Sequence, residues 1–281
     1  MRALQAGVFD AVWAQVEPLL PAREDGHPLG CHRPRVPDRV CLFAMLVRLV
    51  TGCSWMDAEA LVGGEVSDTT LRSRRDEWVA AGVFDQLVEV MLAAYDSAVG
   101  LAPAEAAVDG SAHKAPCGGE GTGRNPVDRG KLGWKWSVAT DANGIPMGWA
   151  IDGANRHDSK LLEATLEAVD DQGLLDEIEV LYLDRGYDKN NNVRATAAAA
   201  GIDHLAVSQV RPRQPRRRQE PSKVPLGKRW VVERTNSWFS NYGQLRRNTD
   251  RKTAHRAAQL SFVVAILLTI KLIDRGHLPR P

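Results

Sequence analysis

The feature that most constrains this chain is a change of hydrophobic period near residue 104. Before it, apolar residues recur at helical spacing, in Val12, Val16 and Leu19–Leu20, through the run 40–50, and again in Phe84, Leu87, Val88 and Met91. After it, short apolar runs read as strands. Ala106 to Val108 leads into Asp109, and Ile178 to Leu183 leads into Asp184. Between them, Trp134 to Thr140 and Ile145 to Ile151 flank an Asn143-Gly144 turn and predict a hairpin. Helices are predicted at Ser159 to Val169, Asn191 to Ala200, Lys228 to Tyr242 and Ala254 to Ile273, with a last strand at His204 to Ser208.

A hairpin followed by alternating helices and strands implies a mixed sheet with helices on its faces. The order is that of a ribonuclease-H-like fold, so the chain reads as α/β. An all-helical domain over 1–103 precedes a catalytic domain over 104–281. Within the helical part, Trp55 to Val62, a Gly63-Gly64 break and a second helix capped by Ser67 or Asp68 suggest a helix-turn-helix. Its second helix would offer Arg72, Arg74 and Arg75 to DNA; the plainer reading is a helical hairpin with a charged outer face. Residues 1–108 carry nine Lys/Arg against fifteen Asp/Glu, a reason for caution that leaves both readings open.

Charge is unevenly spread. The formal net charge is only +1, yet residues 209–256 hold fourteen Lys/Arg and three Asp/Glu, an electrostatic footprint for phosphate. Within that block the Arg/Pro-rich loop 209–227, with Arg216, Arg217 and Arg218, lacks the pattern of regular structure. The run Phe262 to Ile273 is interrupted by Lys271 and falls short of the roughly 18 residues of a membrane span. The N-terminus lacks the order of a signal peptide, so a cytoplasmic protein without a membrane is expected. Cys31 and Cys41 with His27 and His32 match no standard zinc spacing, and reduced thiols are the simpler reading.

Three acids stand out by position. Asp109 is read as ending the first strand and Asp184 the fourth, which are parallel neighbours in such a sheet, and Glu233 lies one turn into the late helix. Carboxylates crowded together raise one another's pKa unless cations join them. Hard oxygen donors suit Mg²⁺, with Mn²⁺ as substitute. Two ions about 4 Å apart can activate an attacking oxygen and stabilise a leaving one, which is in-line phosphoryl transfer. Surface carboxylates and strand-end caps remain the alternative. Against it, Asp184 follows an almost purely apolar strand and Glu233 is embedded in the most basic segment.

At these residues the sequence resembles bacterial insertion-sequence transposases of the DDE type, in the IS4/IS5 superfamily and its IS5-like group. The stretches that carry the resemblance are Val108-Asp109-Gly-Ser, Gly121-Thr-Gly-Arg-Asn-Pro-Val-Asp-Arg-Gly-Lys131, Gly153-Ala-Asn-Arg-His-Asp-Ser159, Leu183-Asp184-Arg-Gly-Tyr-Asp188 and Arg229-Trp-Val-Val-Glu233-Arg-Thr-Asn-Ser-Trp238. They cover about residues 105–250. The resemblance implies Asp109, Asp184 and Glu233 as metal-binding catalytic acids, with two ions expected. It also implies double-stranded DNA as partner, at element ends and target, and a homodimer on DNA. Cleavage and strand transfer at terminal inverted repeats is the implied activity. Of the Tyr, Arg, Glu, Lys pattern around the third acid, Arg229 fits. Leu226 and Ser240 stand where tyrosine and lysine would be, which moves the expected phosphate contacts to Arg229, Arg234, Arg246 and Arg247.

The loop 117–131 fails as a phosphate-binding Walker motif, since Asn125 replaces its first glycine and Leu132 its Ser/Thr. A mobile DNA-facing loop with Arg124, Arg129 and Lys131 is expected instead. Asp188 reads as a cap and His157 as a hydrogen-bonded loop histidine, with a phosphate contact as the alternative for the latter. A nuclease that cuts without joining, and a DNA-binding protein without chemistry, are the competing readings of the whole.

Overall fold

The computed structural model describes residues 2–22, 35–188, 191–207 and 229–278. In chain order the helices α1 (Ala6–Val16), α2 (Asp38–Thr51), α3 (Trp55–Leu61), α4 (Asp68–Ala80) and α5 (Val83–Val99) come first. Strands β1 (Glu105–Lys114), β2 (Gly123–Arg124), β3 (Leu132–Thr140) and β4 (Pro146–Gly153) follow, then α6 (Leu162–Asp170), β5 (Val180–Leu183), α7 (Arg185–Asp188), α8 (Asn191–Ala199) and β6 (His204–Val207). Helices α9 (Trp230–Ser240), α10 (Gly243–Arg246) and α11 (Thr253–Asp274) close the chain.

Contacts divide these elements into two units. One holds residues 1–100, 115–120 and 239–281; the other holds 101–114 and 121–238. A single cut at 103/104 therefore does not describe the chain, because the C-terminal helices belong with the N-terminal ones. The reason is apolar surface: α11 packs along α5, with Phe84 and Phe262 in ring contact at 5.3 Å, and buries most of its length. At 22 residues α11 is also the one helix, among the described residues, long and apolar enough to cross a membrane. The apolar run read from sequence was shorter because Arg256, His255 and Lys271 punctuate it. The helix continues through them, with Arg256 buried and donating to the carbonyls of Gly118 and Asp250.

The helix-turn-helix-like segment forms as expected. Ser54 caps α3 in a capping box with Asp57, Gly63 and Gly64 adopt positive φ, and Ser67 caps α4 through the Thr70 amide. Close approach is exploited at one place. A Cβ on Gly243 would lie 2.5 Å from the backbone of Thr51 and Gly52, so the end of α2 meets the start of α10 backbone to backbone.

The second unit is built on a mixed sheet. β1 pairs antiparallel with β3 and parallel with β5, β4 pairs antiparallel with β3, and β6 lies parallel to β5. That is the ribonuclease-H-like order. Ala106, Ala107 and Val108 are all fully buried, as a central strand covered on both faces requires. One face is packed by α6 and α8 through Leu162, Leu166, Val169, Val193 and Ala197. The predicted turn between β3 and β4 is present, with Gly144 at φ 75°, and Asp141 accepts from the amides of Asn143 and Ile145.

Candidate active site

The sheet register places the first two acids. Ala107 pairs with Tyr182 across the parallel β1 and β5, and two residues further along each strand lie Asp109 and Asp184. Continued along the strand direction, this register brings the two acids near one another, and the charge of Asp184 acts on the Asp109 carboxyl. Asp184 follows β5 directly, as expected. Asp109 does not end its strand: β1 runs on to Lys114 because it keeps its antiparallel partner β3 after parallel pairing with β5 has stopped at Ala107.

The third acid arrives on α9. Thr235 donates to the Gly144 carbonyl at 2.6 Å, and Arg234 donates to that of Asn143, so the helix is seated on the β3–β4 turn. Asn236, buried on the same helix, accepts from the Trp136 indole at 2.7 Å and donates to Asp109 Oδ2 at 3.1 Å. Glu233 projects from this helix and accepts a hydrogen bond from Arg229, whose other nitrogen lies 3.8 Å from Asp184.

Electrostatics reflect the crowding. Burial first, and then the charge of Asp184, push the Asp109 carboxyl up to about 6; Arg229 and the Gly110 amide oppose this in part. Tyr187, buried beside the pair, is held well above the usual phenol range by burial and by Asp158, Asp109 and Asp184. A buried carboxyl whose acid form is favoured, with a second carboxylate beside it, is a hard-oxygen donor set that a divalent cation would satisfy. Among the described residues no three His, Cys, Asp or Glu side chains are grouped so as to hold a metal, and Glu233 is engaged by Arg229.

Two residues of this site escaped the sequence. Asp158 contributes charge at Asp109 and pairs with the buried Lys135 at 2.6 Å. Its carboxylate fills the space a Cβ on Gly110 would occupy, 2.1 Å from that position. Asp158 lies within the quoted Arg-His-Asp-Ser stretch, where attention fell on His157. His157 is the loop histidine of the plainer reading, bonded to Ser159 at 2.9 Å. Asn236 was likewise inside a quoted motif and gave no signal of its own.

The basic residues separate into exposed and engaged. Arg124, Arg129 and Lys131 are exposed, on a turn that is ordered by Asn125, which accepts from the Gly130 and Val127 amides. Arg246 and Arg247 are exposed in the helical unit. Arg72 is exposed but tied to Asp68 one turn away. Arg74 and Arg75 turn inward: Arg74 is buried against Asp38 and Glu77, and Arg75 bonds Asp250 at 2.9 Å. Both have structural partners in place of phosphate. Arg234 is sandwiched between Trp230 and Trp238, 4.7 Å from each ring, and is also engaged. Arg216, Arg217 and Arg218, like His27, Cys31 and His32, lie outside the described residues; Cys41 is a buried thiol pushed up to about 11.

Comparison with known proteins fits this geometry. Residues 102–270 match the transposase DDE domain family and residues 8–88 match a "Putative transposase of IS4/5 family". The chain therefore belongs to the DDE transposase family. Its branch is that of insertion-sequence transposases: it is 37% identical over 163 residues to a Burkholderia cepacia protein named "Putative transposase for insertion sequence element IS402", covering 55% of this chain and 72% of that one. It is also 37% identical over 119 residues to a 16.2 kDa protein of the same element, covering 42% of this chain and 80% of that one. Among solved structures, "Mos1 transposase paired-end complex with left transposon end" aligns over 89% of this chain and 81% of that one. At 10% identity and a TM-score of 0.26 that likeness supports no argument.

Proposed function

We propose that the chain cuts and joins DNA at the terminal inverted repeats of its own insertion sequence, with Asp109, Asp184 and Glu233 as the metal-binding acids. The observation that supports this reading is the register of β1 and β5, which leads to Asp109 and Asp184 at one end of neighbouring strands, with the charge of Asp184 helping to raise the Asp109 carboxyl. Asn236 would orient Asp109 through its Oδ2, leaving the other oxygen for a cation. Bound Mg²⁺ or Mn²⁺, two ions in this reading, would supply Lewis-acid polarisation of the scissile phosphate and a deprotonated attacking oxygen. Arg229 would hold a phosphate near the acids, and the exposed Arg124, Arg129 and Lys131 would track the DNA backbone. Bridging two element ends calls for a dimer on DNA.

The test is nicking of a duplex that carries the element's end, wild type beside Glu233→Ala, with Mg²⁺, Mn²⁺ or chelator. Cleavage at the end that requires both metal and Glu233 is the expected outcome, and strand-transfer product distinguishes joining from cutting alone. Specific binding without cleavage under any metal would refute the catalytic reading.

A further inference from the structure

Arg229 is the side chain that faces all three acids. It donates to Glu233 one helical turn along, reaches to 3.8 Å from Asp184 on a different element, and its charged form is favoured by Glu233, Asp109 and Asp184 alike. It is also the cation that partly offsets the raised Asp109. An ordinary Arg–Glu pair four residues apart on a helix is a surface feature worth a few tenths of a kcal/mol and would not extend to a second carboxylate from the sheet. Here the Arg229 side chain, 24% exposed, stands among the oxygens that the proposed chemistry assigns to metal.

We infer that Arg229 is the resident counter-ion of the metal-free site, and that the acids take divalent cations fully only once a DNA phosphate has drawn Arg229 away. This rests on the reading of Asp109, Asp184 and Glu233 as metal ligands. Guanidinium cannot discharge by losing a proton near neutral pH, so it leaves the site only by moving. A DNA phosphodiester offers it a bidentate partner with the same unit charge as a carboxylate, and the duplex presents a row of them. Its departure frees Glu233 and removes a positive charge from beside Asp184, both of which strengthen cation binding. DNA and metal then raise each other's affinity by the same factor, as linkage requires. The consequence is a positioning residue that ties cation loading to substrate and keeps the free protein from acting as an indiscriminate nuclease.

The experiment measures Mn²⁺ affinity of the full-length, DNA-free chain from the electron paramagnetic resonance signal of unbound Mn²⁺. Removing one charge close to the ion should tighten Mn²⁺ binding in Arg229→Gln by roughly tenfold or more. Arg229→Lys, which keeps the charge, should gain much less, and Asp184→Asn and Glu233→Gln should weaken binding. Equal or weaker Mn²⁺ binding in Arg229→Gln, with the acid variants still impaired, overturns the inference and leaves the triad standing. An equal gain in Arg229→Lys overturns it too, since loss of charge would then not be the cause. Unchanged affinity in both acid variants removes the triad reading itself, and the inference with it. Should Arg229→Gln fail to fold, the Arg229→Lys comparison and the effect of an end-phosphorylated duplex on wild-type Mn²⁺ affinity carry the same test.

Discussion

Replacing Asp109 by asparagine should stabilise the metal-free protein, and by an amount that depends on pH. The carboxyl is raised from 3.8 to about 6 in the folded state, chiefly by burial and secondarily by Asp184. A raised carboxylate pKa means the native state binds more protons than the unfolded chain between those two values, so stability falls as pH climbs from about 4 to about 6. Above that window the ionised form costs about 3 kcal/mol, at 1.36 kcal/mol per unit. Asparagine keeps an oxygen to accept from Asn236 and carries no charge. The variant should therefore melt with wild type near pH 4 and, at roughly 2–4 °C per kcal/mol, some 6–12 °C above it at pH 7.5 in chelator. Excess Mg²⁺ should narrow the gap by stabilising only wild type. A difference that does not change with pH, or a destabilised variant at pH 7.5, would refute the assignment of strain to this carboxylate.

Two further single substitutions and one triple replacement probe other parts of the structure. Asn236→Ala strands the buried Trp136 indole and loosens Asp109; about 1–3 kcal/mol of stability should be lost in denaturant titration, with cleavage reduced more than DNA binding. Asp250→Ala leaves Arg48 buried without its partner and should cost about 3–5 kcal/mol, read as a lower melting temperature of the helical unit. Neutralising Arg216, Arg217 and Arg218 together should flatten the salt dependence of DNA affinity by about 2.7 in log–log slope if each meets a phosphate; an unchanged slope would remove the basic stretch from the DNA contacts.

What could be read from the sequence follows from what is local. Asp184 was legible because an apolar strand leading straight into a charge is unusual, and Glu233 because its sign is exceptional in a basic segment. The strand order needed only the change of period and the Asn-Gly turn. The direction of Arg74 and Arg75 was not legible. Three arginines within four residues of a helix cannot all face one way, and the acids that decide the matter, Asp38 and Asp250, lie 36 residues before and 175 after. Asp158 was missed for the complementary reason: its role comes from the empty space over Gly110 and from Lys135 on another strand, neither of which leaves a mark beside it in the chain.

The backbone contact between Gly52 and Gly243 has a further consequence, for the order in which the protein is completed as it is made. The first hundred residues are made before the rest of their unit, so α2 lacks the chain that meets its end at Gly52 and α5 lacks α11 until the residues after 239 have been made. At 5–20 residues per second, the stretch from Gly100 to Phe239 takes about 7–28 seconds to synthesise. During that time the residues of the sheet unit, 101–114 and 121–238, are made. The helical unit, first to appear, is the last to be finished. Fragments that stop after the N-terminal helices should consequently expose the apolar faces of α2 and α5 and be poor vehicles for studying that unit alone.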